Sequence, residues 1–261
     1  MTSRFEHSTI RTIHHLACHG GTVISKCIQS MPNTLVISEI HPDHLRYAFN
    51  PYDPVQLLLA QTNLGQNKGL RRKLFDERIR TCLSIANQCG KNLVLRDHTH
   101  TDYCTSTDKN KISCTSSLLE TLPKNSNILS TLTIRSPIEA YISLQNNGWN
   151  AAIKDFNDYC ERMELMINNF TYNNIPIIKY EDFCSMPEAT MKKICSYLHI
   201  PYDPGFKDIF YKIPMTGDSG RGRQKKMRDI NLLENKKIPT EILAAADESP
   251  AYLRLAQNFG Y

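Results

Sequence analysis

Four stretches carry residues whose types and spacing could do chemistry. The first is His14-His15-Leu16-Ala17-Cys18-His19-Gly20-Gly21-Thr22-Val23. Its paired glycines free the backbone for positive φ and close approach to a ligand. The N–H groups of Gly20 to Val23, with the Thr22 hydroxyl, form a donor set for an anion at a helix start. The second is Arg96-Asp97-His98-Thr99-His100, a cation followed by two imidazoles. An imidazole with an ordinary pKa of about 6.5 suits proton transfer at neutral pH. The third is Arg135-Ser136-Pro137-Ile138-Glu139, with Ser143 beyond it; its cation and hydroxyl could reach one anion. The fourth is Gly217-Asp218-Ser219-Gly220-Arg221-Gly222-Arg223, a basic, glycine-rich loop that could clamp a phosphate.

Two readings of the first stretch are set aside. A kinase-type phosphate loop needs G-x-x-x-x-G-K-[ST], whereas Lys26 follows Gly21 with no second glycine before it. His14, His15, Cys18 and His19 crowd together, but no second ligand cluster has zinc-like spacing, so no metal is expected.

The elements that must position these residues read as alternating strands and helices. An apolar run from Ile13 breaks at the glycines. Val23, Ile24, Cys27, Ile28 and Met31 then form one face of a helix. Further strands are expected at 34–38, 92–95, 128–134 and 176–179. A helix-rich stretch should start at Pro54, with Gly65 and Gly69 between two helices and the second over 70–88. In it Arg71, Arg72 and Lys73 should face solvent. Ser136 and Glu139 have capping-box spacing with Pro137 at the first helical position, as Ser185 and Glu188 do for a later helix. The remaining expectations are a core helix over 150–170, two short helices over 239–261, and a mobile loop over 101–117 that covers a substrate. The fold class is α/β: three layers, a mostly parallel central sheet of about five strands, helices on both faces, and a P-loop-like strand-loop-helix at the N-terminus. One domain, 1–261, is expected. In such sheets ligands sit beyond the carboxyl ends of the strands, where the first three stretches fall.

Composition narrows the function class. Apolar content of 41% and charged content of 22% are those of a globular protein. The net charge of +5 suits an anionic ligand, but Lys and Arg are scattered rather than striped, so nucleic acid is not implied. Nine cysteines without a C-x-x-C pair read as reduced thiols, hence a cytoplasmic setting. Neither an export signal nor a membrane span is expected.

Together the motifs resemble the sulfotransferases that use 3′-phosphoadenosine 5′-phosphosulfate (PAPS). Arg135, Pro137 and Ser143 match the R-x-P-x5-S element that grips the 3′-phosphate in that family. Tyr180-Glu181-Asp182 looks like its YED segment, and Ser219, Gly220 and Arg221 resemble the late loop that closes over the nucleotide. Arg96-Asp97-His98 is similar to the K-T-H element whose histidine is the base. The first loop departs from the family, with Cys18 at the cation position and His19 at the Ser position. His19, if protonated, would supply charge there, helped by Arg96 or Lys26.

The resemblance implies a metal-independent, in-line transfer of sulfonate from PAPS to a hydroxyl or amine. His98 would be the base, with His100 next in line, and Arg96 would steady the sulfonate. Cys18, His19, Gly20, Gly21, Thr22, Val23, Arg135, Ser143, Tyr180, Ser219, Gly220 and Arg221 would hold the nucleotide. The acceptor is left open among small molecules, glycans or glycolipids, and peptides; oligomeric state is not readable. The competing readings are a non-catalytic nucleotide-binding protein on the same fold and an ATP-dependent phosphotransferase.

Overall fold

A computed structural model describes residues 9–43, 62, 64, 67–217, 230–231 and 238–261. Five strands form the sheet: β1 (Thr9–His14), β2 (Thr34–Ile40), β3 (Asn92–Asp97), β4 (Asn127–Ile134) and β5 (Ile177–Lys179). Every pairing is parallel and the order is β2-β3-β1-β4-β5. The chain steps from β1 out to β2, returns through β3, and passes to the other side at β4. That reversal beside β1 is where α/β sheets bind ligands. β1 begins earlier than its apolar run suggests, because the polar Thr9 and Thr12 lie inside the ladder.

The helices cover both faces. α1 (Gly21–Gln29) buries Ile24, Cys27 and Ile28, the stripe seen in the sequence, against Ile13 and Val94. α2 (Lys68–Gln88) starts at the Asn67 side-chain cap, so Gly69 lies in its first turn rather than between two helices. α3 (His100–Cys104) and α4 (Ser117–Thr121) fall within and just after the stretch expected to be a mobile loop. The expectation is corrected at its two ends, which are helical, while 105–116 is largely irregular. Asp102 accepts from Ser117 N at 2.9 Å and Ser117 Oγ at 2.6 Å and pairs with His41, while Tyr103 and Cys104 enter the core. Arg162 ties the Tyr103 and Ser106 carbonyls at 3.0 and 2.9 Å.

α5 (Pro137–Asn146) begins at Pro137 as expected. The capping box before it does not form: Glu139 is drawn to Arg135, and Ser136 N donates to Glu181 Oε1 at 2.8 Å. α6 (Phe156–Tyr172) starts later than expected, where the Asp155 carboxylate accepts from Asp158 N. It fills the opposite face with Tyr159, Met163, Met166 and Phe170, large side chains whose burial contributes about 1.5–3 kcal/mol apiece. After α7 (Tyr180–Ser185), α8 (Pro187–Tyr197) is capped by no side chain; Ser185 Oγ donates to Asp182 O instead, so the second capping box is absent too. α9 (Phe206–Ile209) is short, and α10 (Thr240–Glu248) with α11 (Pro250–Phe259) confirms the two-helix tail. Arg72 is not merely solvated. It binds Asp43, Glu120 and Ser117. Among the described residues no helix is long and apolar enough to cross a membrane. The helix expected from Pro54, and Ser219, Gly220 and Arg221, lie outside the described residues.

Candidate active site

The carboxyl ends of β1, β2, β3, β4 and β5 bring His15–Thr22, Ser38–Glu39, Arg96–His98, Arg135 and Tyr180 to one end of the sheet. At Gly20 φ is 76°, a left-handed turn that starts α1, and the first intrahelical bond is Ile24 N to Gly20 O at 3.2 Å. The amides of Gly21, Thr22 and Val23 therefore precede the ladder, as anion-binding helix starts require.

The two glycines also make room for rings. A Cβ on Gly21 would stand 1.9 Å from His15 Nε2, and one on Gly20 would stand 2.1 Å from the Tyr180 ring. Each ring in turn holds an arginine. Arg96 Nε donates to His15 Nε2 at 3.0 Å. The Arg135 guanidinium lies over the Tyr180 ring, 5.2 Å from its centroid. Both arginines are buried.

Arg96 spreads its remaining donors over the mouth of the site. Nη1 reaches Ser38 Oγ at 2.9 Å and Thr216 O at 3.0 Å, and Nη2 reaches Thr22 Oγ1 at 3.0 Å. Thr22 Oγ1 also donates to Gly217 O at 3.1 Å. Glu39 comes within 3.6 Å of Arg96 Nη2. Glu39 has φ 58° in a bulge between Ile37 and Ile40, and a Cβ on Gly217 would stand 1.9 Å from its Oε1. Sequence reasoning missed His15, Ser38 and Glu39. Their position just after apolar strands was the available signal.

Arg135 Nη1 donates to the carbonyl of Cys18 at 3.2 Å, and Nη2 pairs with Glu139. Its Nε is buried without a hydrogen-bond partner among the described residues. An orphaned donor on a buried cation fits an anionic ligand. Cys18 has φ 68°, and Asn147 Nδ2 lies 3.6 Å from its Sγ. Cys18 thus meets Arg135 through its carbonyl and supplies no cation. Ser143 is buried on α5, two turns beyond Arg135.

His19 is corrected as a source of charge. It is fully buried, its Nε2 bonds Tyr159 Oη at 2.8 Å, and its pKa is pushed down to about 3, by burial first and then by Arg135. The neighbouring histidines likewise go to separate partners: His14 bonds Asp97 and Thr12, and His15 bonds Arg96.

His98 is half-buried past the end of β3, held by Ile40 O at its amide and by Thr101 Oγ1 at Nδ1, 2.6 Å away. His100 is buried, and burial followed by the charge of His98 pushes its pKa down to about 3.

The architecture has matches over almost the whole chain. The sulfotransferase domain of the Synechococcus PCC 7002 olefin synthase superposes with a TM-score of 0.55 at 14% identity, over 97% of this chain and 95% of that one. The chain has the sulfotransferase fold. The sulfotransferase domain of the curacin biosynthetic pathway gives a TM-score of 0.52 at 15% identity, over 95% of this chain and 97% of the other. Mouse sulfotransferase SULT7A1, solved in complex with PAP, gives 0.51 at 10% identity, over 96% and 85%. No protein-family model and no curated protein matches the sequence.

Proposed function

We propose that this protein is a PAPS-dependent sulfotransferase acting on a hydroxyl or amine of a small-molecule, glycan or glycolipid acceptor in the cytoplasm. The observation that carries the reading is Arg135: a buried cation at the end of β4, heading an R-x-P-x5-S helix, with its Nε orphaned. Its neighbour Tyr180 and the glycine turn below it supply the rest of a nucleotide cradle.

In the reaction the acceptor oxygen or nitrogen attacks sulfur in line, and the bond from sulfur to the 5′-phosphate oxygen breaks. Charge spreads over the sulfonate oxygens, where preorganised donors are most effective. Arg96, Thr22 and the amides of Gly20 to Val23 are those donors, while Arg135 and Ser143 hold the 3′-phosphate. Ser219, Gly220 and Arg221 complete the closure over the nucleotide. The acceptor's proton passes to His98. When His98 Nδ1–H donates to Thr101 Oγ1, Nε2 carries the lone pair a base needs. His100 is buried and holds a proton poorly, which favours His98. No metal is required, since the sulfonate carries a single charge.

Thermal unfolding with 3′-phosphoadenosine 5′-phosphate (PAP), AMP and ATP–Mg²⁺ tests the donor. PAP at a hundred times its dissociation constant should stabilise the wild type by about 2.7 kcal/mol, selectively, and Arg135→Ala should abolish that. A preference for ATP–Mg²⁺ would select the phosphotransferase instead. His98→Ala should keep the PAP response and lose about 10²–10⁴-fold in transfer to an acceptor panel; unchanged turnover would remove His98 as base. PAP binding with no transfer by the wild type would favour a non-catalytic nucleotide-binding protein.

A further inference from the structure

We infer that His15 is a positioning residue, whose imidazole aims the Arg96 guanidinium at the sulfonate-binding end of α1. The sulfotransferase reading supplies only the identity of the anion; the hold of one side chain on the other stands on geometry.

Arg96 Nε lies 3.0 Å from His15 Nε2. A guanidinium is always a donor, so Nε2 must be the unprotonated nitrogen and the proton sits on Nδ1. With Nε tied back, Nη1 and Nη2 are the edge left to face Ser38 and Thr22. Thr22 belongs to the first turn of α1, so the guanidinium is delivered to the helix start where an anion would sit.

Two further observations assign the role to the ring. His15 is 5% exposed and its Nδ1 is buried without a partner among the described residues. An apolar side chain would pack there without leaving a buried donor unsatisfied, so packing alone does not account for an imidazole. The ring also fills the space of the missing Gly21 Cβ, which locks it against the loop it serves. A neutral partner matters electrostatically. Glu39 already stands 3.6 Å from Nη2 and offsets part of the cation. A second carboxylate on Nε would offset more of it and repel an incoming anion, whereas a neutral imidazole orients the guanidinium without adding negative charge. Burial, then the charge of Arg96, keeps this imidazole well below its ordinary pKa and hence neutral near pH 7.

The test compares His15→Phe, a ring without an acceptor, with His15→Gln, whose amide oxygen can accept from Nε. In ¹⁵N–¹H NMR the Arg96 Nε–H should exchange slowly in the wild type, lose protection in His15→Phe and regain it in His15→Gln. The dissociation constant for PAPS should rise about tenfold in His15→Phe, which is about 1.4 kcal/mol. PAP, which lacks the sulfonate, should bind as before, and His15→Gln should recover PAPS affinity. Equal weakening of both nucleotides, no weakening of PAPS, or a Gln variant no better than Phe would overturn the assignment. Should His15→Phe fail to fold, His15→Leu, which likewise offers no acceptor to Nε, must show the same PAPS-selective loss. If the wild type binds neither nucleotide the sulfotransferase reading falls, and the Nε–H signal alone still decides whether His15 holds Arg96.

Discussion

Two units flank the first loop, and each is a glycine, a ring and an arginine. On the β3 side Gly21 makes room for His15, which accepts from Arg96 in the plane of its ring. On the β5 side Gly20 makes room for Tyr180, which offers its face to Arg135. An in-plane hydrogen bond fixes direction, because it weakens steeply with angle. A ring face attracts a cation without fixing its rotation. The β3 unit therefore aims its arginine through the ring itself, whereas the orientation of Arg135 in the β5 unit is left to the Cys18 carbonyl and Glu139. The loop itself, with Cys18 and a neutral His19, contributes backbone and no cation; both charges are borrowed from neighbouring strands.

The largest effect should come from filling the glycine spaces. Gly21→Ala presses a methyl into the His15 ring and should cost about 1–3 kcal/mol in denaturant unfolding. Gly20→Ala meets the Tyr180 ring and also sits at φ 76°, which adds about 1–2 kcal/mol of left-handed strain. A cost near zero for Gly21→Ala, which carries no left-handed strain, would mean that the His15 ring is not what excludes a side chain there.

Acid separates the two units next, because only one of them titrates below neutrality. The folded pKa of His15 lies below its unfolded value of about 6.5. The unfolded chain therefore binds more protons as pH falls below that value, and stability declines towards acid. His19 and His100, both pushed down to about 3, act in the same direction over about pH 6.5 to 3. His15→Gln should flatten the stability slope below about pH 6.5 by up to about 1.4 kcal/mol per pH unit. Tyr180→Phe should leave that slope unchanged, and a slope identical in both variants would place the titration elsewhere.

The smallest effect tests whether His19 stands outside both units. Tyr159→Phe removes its hydrogen bond and should cost about 1 kcal/mol of stability, with PAP affinity unaltered. A weakened response to PAP would return His19 to the anion site.

Much of this arrangement is legible in the sequence. Apolar runs followed at once by Arg96, Arg135 or Tyr180 announce strand ends, and the stripe through Ile24, Cys27 and Ile28 announces the helix behind the glycine turn. Partners distant along the chain are not legible. His15 lies 81 residues from Arg96, and His19 lies 140 from Tyr159. A ring that fills a glycine's missing Cβ leaves no local pattern to read. The failed capping box at Ser136 has this cause only in part: Glu181, 45 residues on, accepts from Ser136 N, but the residue that draws Glu139 away is Arg135, only four positions before it. The stretch 101–117 misled at its two ends, where Asp102 and Ser117 bond each other and Asp102 pairs with His41, while the polar residues between them largely face water.

The polar thread inside the sheet has one more consequence. Ser130 Oγ lies 2.7 Å from Thr12 Oγ1, Thr12 Oγ1 lies 2.8 Å from His14 Nε2, and His14 Nδ1 lies 2.8 Å from Asp97 Oδ2. Parallel strands buried on both faces look alike after a shift, because oily side chains fit either way. This thread runs across β4, β1 and β3 and accepts a single alignment. A slip of one residue would displace a strand end by about 3.3 Å and leave buried polar atoms stranded. The Ser130–Asp97 thread thus acts as a gauge that sets the ends of three strands level, so that Arg96, Arg135 and the glycine turn emerge at one height.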